Sequence, residues 1–166
     1  MGMLSFIKEA GEKLFGKGKA QEAMTQAQAD PSSADKQKAA NDAAADAIVA
    51  YIESQNLKAT GLTVTFDGST ATVYGIAADQ ATKEKIVLCC GNVQGVASVN
   101  DQMTVDQSAP EAQYYTVVKG DNLSKISKQY YGDPNKYNKI FEANKPMLKS
   151  PDLIYPGQVL RIPPLA

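Results

Sequence analysis

The chain has 166 residues, 43% of them hydrophobic, with no long apolar run, so it has room for two small domains and no stable membrane insertion is expected. Its 17 Lys and Arg meet 18 Asp and Glu at a formal net charge of -1, which leaves no basic field to recruit nucleic acid. Histidine is absent, which removes histidine-based triads and imidazole metal sites and restricts catalysis to carboxylate, lysine or cysteine chemistry; an enzyme is not expected.

The amino-terminal stretch Met1 to Ala10 lacks the sustained apolar core of a secretory signal, since Lys8, Glu9, Glu12 and Lys13 interrupt it. Phe6 stands where N-myristoylation requires Ser or Thr. A cytoplasmic protein is therefore expected. Leu4, Ile7, Leu14 and Phe15 suit a short amphipathic helix, which either docks on the rest of the chain or lies on a membrane surface; the balanced charge favours docking. From Gly16 to about Asp46 the composition shifts to alanine, glutamine, lysine and aspartate around the break Asp30-Pro31-Ser32-Ser33. With so few large apolar anchors this stretch reads as a tether, and residues 1–40 are assigned to the short helix and that tether.

Ala45, Ile48, Val49 and Ile52 follow the i, i+3, i+4, i+7 spacing of an amphipathic helix running from about Asp42 to Gln55. Leu62, Val64 and Phe66 then alternate with Thr63, Thr65 and Asp67, and Asp67-Gly68-Ser69 turns the chain into a second strand, Ala71 to Ile76. Asp79 to Cys90 reads as a helix with Ile86, Val87 and Cys90 inward, ended by Gly91-Asn92-Val93, and Val96 to Val105 as a last strand. The adjacent Cys89 and Cys90 fit neither a zinc knuckle nor a redox Cys-X-X-Cys; they read as reduced apolar helix residues, one facing the core. This α-β-β-α-β order, with Val73-Tyr74-Gly75, Lys83-Glu84-Lys85-Ile86 and Val93-Gln94-Gly95-Val96-Ala97-Ser98-Val99-Asn100-Asp101, resembles the BON domain over residues 41–106. The resemblance implies an envelope module that binds phospholipid or partner proteins.

After a linker at residues 107–113, Tyr115 to Val118 is β-prone and stops at Lys119-Gly120-Asp121. A helix is expected from Asn122, with Leu123, Ile126 and Tyr130 at helical spacing and Gly132 ending it. Asp133-Pro134 restarts a helix whose stripe is Tyr137, Ile140 and Phe141. Tyr155-Pro156-Gly157-Gln158 has a type II turn signature, and Val159 to Ile162 closes the unit as a strand. This β-α-α-β pattern over residues 114–164, with Gly120-Asp121-Asn122-Leu123-Ser124, Tyr131-Gly132 and Ile154 to Pro163 in order, resembles the LysM domain. The resemblance implies a groove for N-acetylglucosamine glycans involving Gly120, Asp121, Asn122, Leu123, Met147, Leu153 and Ile154, although Asn122 replaces the family's usual threonine and the same residues also serve as turn and cap chemistry. The expected fold class is α+β, with two small domains.

The combination of Gly11-Glu12-Lys13-Leu14, one BON unit, one LysM unit and Ile140 to Asp152 resembles the small bacterial proteins that bind potassium. That family implies potassium bound in preference to sodium, a BON domain ordered by the ion, and sensing or buffering of cytoplasmic potassium. A monomer is expected, with a protein partner that the sequence does not identify. Potassium suits neutral carbonyl oxygens. The end of the second BON helix offers unpaired carbonyls and the negative end of its dipole beside Gly91-Asn92-Val93-Gln94-Gly95. With Gly75-Ile76 at the close of the hairpin and the Ala10-Gly11 end of the first helix, the candidate ion ligands are the backbone oxygens of Ala10, Gly75, Ile76, Gly91, Asn92, Val93 and Gly95. Each glycine among them is equally readable as a cap or turn.

Overall fold

The computed structural model describes residues 2–165. It is an α+β chain with a four-stranded and a two-stranded sheet. Strand β2 (Thr60–Phe66) turns Val64 and Phe66 into the core and Thr63 and Thr65 outward, as alternation requires. The turn that follows is built by Asp67, whose Oδ1 accepts from the Ser69 N–H (3.0 Å) and the Thr70 N–H (2.7 Å). Those two hydrogen bonds hold its carboxyl below the ordinary carboxylate range. Strand β3 (Thr70–Asp79) pairs antiparallel with β2 and parallel with β4 (Ser98–Gln107).

Helix α3 (Gln80–Gly91) makes the crossover that two parallel strands require. Asp79 caps it by accepting from the Thr82 N–H at 2.8 Å. Cys89 and Cys90 are both fully buried, not one of the two. The reason is that α3 lies between the four-stranded sheet and the last strand of the chain, so it buries apolar residues on more than one side. Burial pushes the Cys89 thiol up to about 12.

Two expectations for the amino-terminal region are overturned. The first residues form a strand, β1 (Gly2–Ser5), antiparallel to β4 with Leu4 opposite Val99, and not a helix. The open edge of β4 offers backbone partners that a short helix would forgo, and strand alternation still lets Leu4 pack on the core while Met3 stays exposed. Leu14 and Phe15 fall in a 3-10 turn, with the Phe15 ring 5.3 Å from that of Phe66. The stretch read as a tether is helical: α1 (Gly18–Ala29) and α2 (Ala34–Ser54) form a hairpin. Its anchors are alanines, since Ala20, Ala27, Ala40 and Ala44 are buried, and small side chains let the two helices approach closely. Ser33 caps α2 through the Lys36 N–H at 3.2 Å.

In the carboxy-terminal unit β5 (Gln113–Thr116) pairs antiparallel with β6 (Val159–Ile162). Asn122 caps α4 (Leu123–Tyr131), accepting from the Lys125 N–H at 2.8 Å, and Gly132 ends it in the left-handed region at φ 73°. After a 3-10 turn capped by Asp133 comes α5 (Tyr137–Ala143), on which Ile140 is fully buried and Tyr137 and Phe141 are half-buried. The Gln158 N–H returns to the Tyr155 carbonyl at 3.1 Å with Gly157 at φ 90°, closing the turn before β6.

The two units are joined through buried polar contacts. Arg161 on β6 donates from Nε (2.9 Å) and Nη2 (2.8 Å) to Glu84 Oε1 on α3, and from Nη1 to the Ala143 carbonyl at 3.0 Å. Glu84 Oε2 accepts from Gln80 Nε2 (2.9 Å) and from the Ala112 N–H of the linker (3.1 Å). Every oxygen of this buried carboxylate is therefore occupied, which is what a buried ion pair needs to offset desolvation. Glu84→Ala is expected to cost about 3–5 kcal/mol in denaturant unfolding, because it strands a buried guanidinium, while Glu84→Met with Arg161→Met costs far less. A loss in the double variant equal to the sum of the losses in the two single variants would show that the pair is not coupled.

Candidate functional site

The loop after β1 crosses the end of α3 at one corner of the first domain. Three backbone hydrogen bonds cross between the strands of chain: Glu12 N–H to Asn92 C=O (2.9 Å), Gln94 N–H to Glu12 C=O (2.9 Å) and Gly95 N–H to Lys8 C=O (2.7 Å). Gln94 Nε2 adds a fourth, to the Glu9 carbonyl at 3.1 Å. The approach depends on two glycines. Gly11 has φ 116°, and a Cβ there would lie 2.5 Å from the Asn92 carbonyl carbon and 2.7 Å from the Val93 nitrogen. Gly91 has the Phe6 ring where its Cβ would be.

Asn92 serves two partners at once. Its backbone holds the loop, and its side chain reaches β6, accepting from the Val159 N–H (2.8 Å) and donating to the Val159 carbonyl (2.8 Å). Across the corner, Gly157 of the turn before β6 packs on Ala10 and Ile7. Residues 7–12, 91–96 and 157–159 thus meet in one place.

This corner is rich in carbonyl oxygens. The C=O groups of Ala10, Gly11, Cys89, Cys90, Gly91 and Gly95 accept no hydrogen bond among the described residues. Three of them close α3, where the helix dipole adds negative potential. Those of Asn92 and Val93 each accept one bond, from the Glu12 and Val96 N–H respectively, and keep a second lone pair. Among the described residues no group of three or more Cys, Asp or Glu side chains is placed to hold a metal ion. A donor set of neutral carbonyls suits a large monovalent cation and not a zinc or calcium centre.

The structure brings Ala10, Gly91, Asn92, Val93 and Gly95 together. It does not bring Gly75 and Ile76 to them. Both lie inside β3, opposite Met103 and Thr104 of β4, five and six rungs from the Thr70 and Ser98 pair that begins beside the corner, hence roughly 17 Å or more away. The sequence points to the Ala10-Gly11 end but not to the Lys8 and Glu12 backbone. The one visible signal was Gly11, and the crossing that gives that glycine its purpose spans most of the domain.

The BON domain profile matches residues 40–107 and the LysM domain profile residues 115–163. The Escherichia coli "Potassium binding protein Kbp" is 46% identical over 164 residues, covering 98% of this chain and 99% of that protein. The chain belongs to the Kbp family. Partial matches reach an uncharacterized Deinococcus radiodurans protein, 45% identical over 43% of this chain and 32% of the relative, and the uncharacterized protein YqbP of Bacillus subtilis, 41% identical over 34% and 29%.

In this member of the Kbp family the LysM loops are committed largely to their own fold. Asp121 Oδ2 accepts from the Tyr115 hydroxyl (2.6 Å) and the Val118 N–H (2.9 Å), and that hydroxyl bond raises Tyr115 to about 12. Gly120 supplies φ 90° and Asn122 the helix cap, while Leu123 is buried. Met147 turns to the domain junction, its sulfur 3.4 Å from Asn92 Nδ2, and Ile154 is half-buried on the LysM core. Val118 and Leu153, at 56% and 61% exposure, are the apolar residues these loops present outward.

Gly11→Ala tests the crossing. The added methyl meets backbone on both sides at a φ that L residues avoid, so a loss of about 2 kcal/mol in thermal or denaturant unfolding is expected. Gly16→Ala, with open space at its Cβ, is the control and stays within about 0.5 kcal/mol of the parent. Indistinguishable stabilities for the two variants would mean that the loop is not anchored there.

Proposed function

We propose that this chain binds potassium selectively, with the ion held by backbone carbonyls of Ala10, Gly91, Asn92, Val93 and Gly95 where the loop after β1 crosses the end of α3. One observation carries the reading: carbonyls with spare lone pairs from two segments far apart in sequence are fixed at one corner by crossed hydrogen bonds. The near full-length similarity to a protein named for potassium binding supports it. Gly75 and Ile76 fall outside this ligand set because of their place in β3.

The mechanism follows from linkage. An ion that binds the docked loop and not the undocked one stabilises the docked form by mass action. Because Asn92 also grips β6, docking is felt by the LysM unit. Such a protein acts as a cytoplasmic potassium sensor or buffer, monomeric and without catalytic activity, and passes the signal to a protein partner. Calorimetric titration of potassium chloride into desalted protein, against sodium chloride at equal ionic strength, is expected to give saturable heat with potassium alone. Potassium is also expected to slow amide exchange in residues 7–12 and 91–96. Silence in both salts sinks ion binding, and saturable binding with unchanged exchange sinks the ordering mechanism.

A second reading is favoured by Val118 and Leu153, which stand exposed on the two loops flanking the LysM groove. Apolar side chains there would stack against sugar faces, in an adaptor for peptidoglycan. Chitotetraose is expected to perturb the amides of Val118 and Leu153 in heteronuclear correlation spectra; unchanged spectra at millimolar sugar would dismiss it.

A further inference from the structure

Helix α1 turns alanines, Ala20 and Ala27, to the rest of the molecule, with Met24 half-buried between them. Alanine permits close approach of helices but fills little of the space beside them. A cleft of about 470 Å³ consequently remains between α1, the start of α2, the loop after β1 and the turn joining β2 to β3. Its size is within the range of small-molecule sites.

The chemistry of its walls is uneven. Phe15, Met24 and Phe66 supply apolar surface, while Lys8, Gln28 and Asn41 bring polar groups to the edge. No carboxylate lines the cleft, and Lys8, its one ionisable lining residue, takes part in no ion pair among the described residues. The base of that lysine is fixed, since its carbonyl accepts the Gly95 N–H at 2.7 Å. Gln28 and Asn41 make no side-chain hydrogen bond among the described residues, so their amides are free to donate. The two helices forming one wall are tied by Gln37 Nε2 to the Ala27 carbonyl at 2.9 Å.

We propose that this cleft binds a small amphipathic monoanion, an apolar chain or ring carrying a single carboxylate. The apolar part lies against Phe15, Met24 and Phe66, and the carboxylate meets Lys8 with the amides of Gln28 and Asn41. A cationic amphiphile finds no counter-charge here, and a polyanion finds one lysine only. Most of the site precedes residue 40, where the BON match begins, so it belongs to the helical hairpin and amino-terminal loop more than to that domain. It does not depend on potassium binding, although Lys8 and Gly95 are shared with the loop crossing.

The test is titration of sodium octanoate into the full chain, below its micellar range, followed by amide shifts, with octyltrimethylammonium as the cationic control. It is run in sodium and in potassium buffers, so that a failure of potassium binding is seen separately. Saturable shifts at Phe15, Gly68 and Gly95, with about fivefold weaker binding to Lys8→Gln and none of comparable strength for the cation, support the site. Lys8 is exposed and its substitution leaves the backbone bond to Gly95 in place, so this variant decides the matter even if the filling variant Asn41→Phe does not fold. No shifts, shifts centred elsewhere, or equal octanoate affinity in Lys8→Gln would overturn it.

Discussion

The arrangement of the molecule depends on one strand edge. β6 has β5 on one side only, and the groups of Val159 and Arg161 that point the other way would be buried without partners. Two asparagine side chains supply them: Asn92 from α3 pairs with Val159, and Asn144 pairs with Arg161, accepting its N–H at 2.9 Å and donating to its carbonyl at 3.0 Å. Each amide imitates a neighbouring strand for one residue. An isolated two-stranded sheet is marginal in water, and this one is completed partly by a helix of the other unit. The Glu84 and Arg161 pair adds a second tie between that helix and β6.

The same helix end faces the amino-terminal loop, so α3 is a structural hub. Its sequence reflects this. It carries apolar residues on more than one side, and its polar residues Gln80, Lys83 and Glu84 are buried yet hydrogen-bonded or paired. Lys83 lies 3.2 Å from Asp101 of β4, holding the helix to the sheet as Glu84 holds it to β6. No buried side-chain nitrogen or oxygen among the described residues lacks a partner, as expected of an interface that is part of the fold.

Much of this was legible in the sequence because the signals were local. Asp79, Asn122 and Gly132 announced their helix ends, the threonine alternation of β2 announced a hairpin, and the motifs of both units carried a resemblance that the comparisons bear out. The errors share a cause. β1 is a strand only because of β4, about a hundred residues away, and the segment alone gives no hint of it. The α1 and α2 hairpin was read as a tether because alanine looks weak as an anchor until it is seen facing alanine. Gly75 and Ile76 read as a carbonyl source at the close of the hairpin, but β3 runs on to Asp79 and strand length separates them from Gly91. A site made of backbone oxygens leaves little side-chain pattern to read, and only the required absence of one at Gly11 marks it.

The position of β1 has a consequence for how copies of the chain meet at high concentration. Without it, β4 would present a ten-residue edge of free amide and carbonyl groups, which is a template for another chain. With it, Ser98 to Asp101 of that edge are paired and the run left beyond β1 shortens to Gln102–Gln107, while the other border is β2, whose register is broken between Thr60 and Thr63. Neither border offers an uninterrupted ladder along its full length. These interrupted sheet borders oppose the strand-to-strand growth that crowding would otherwise favour.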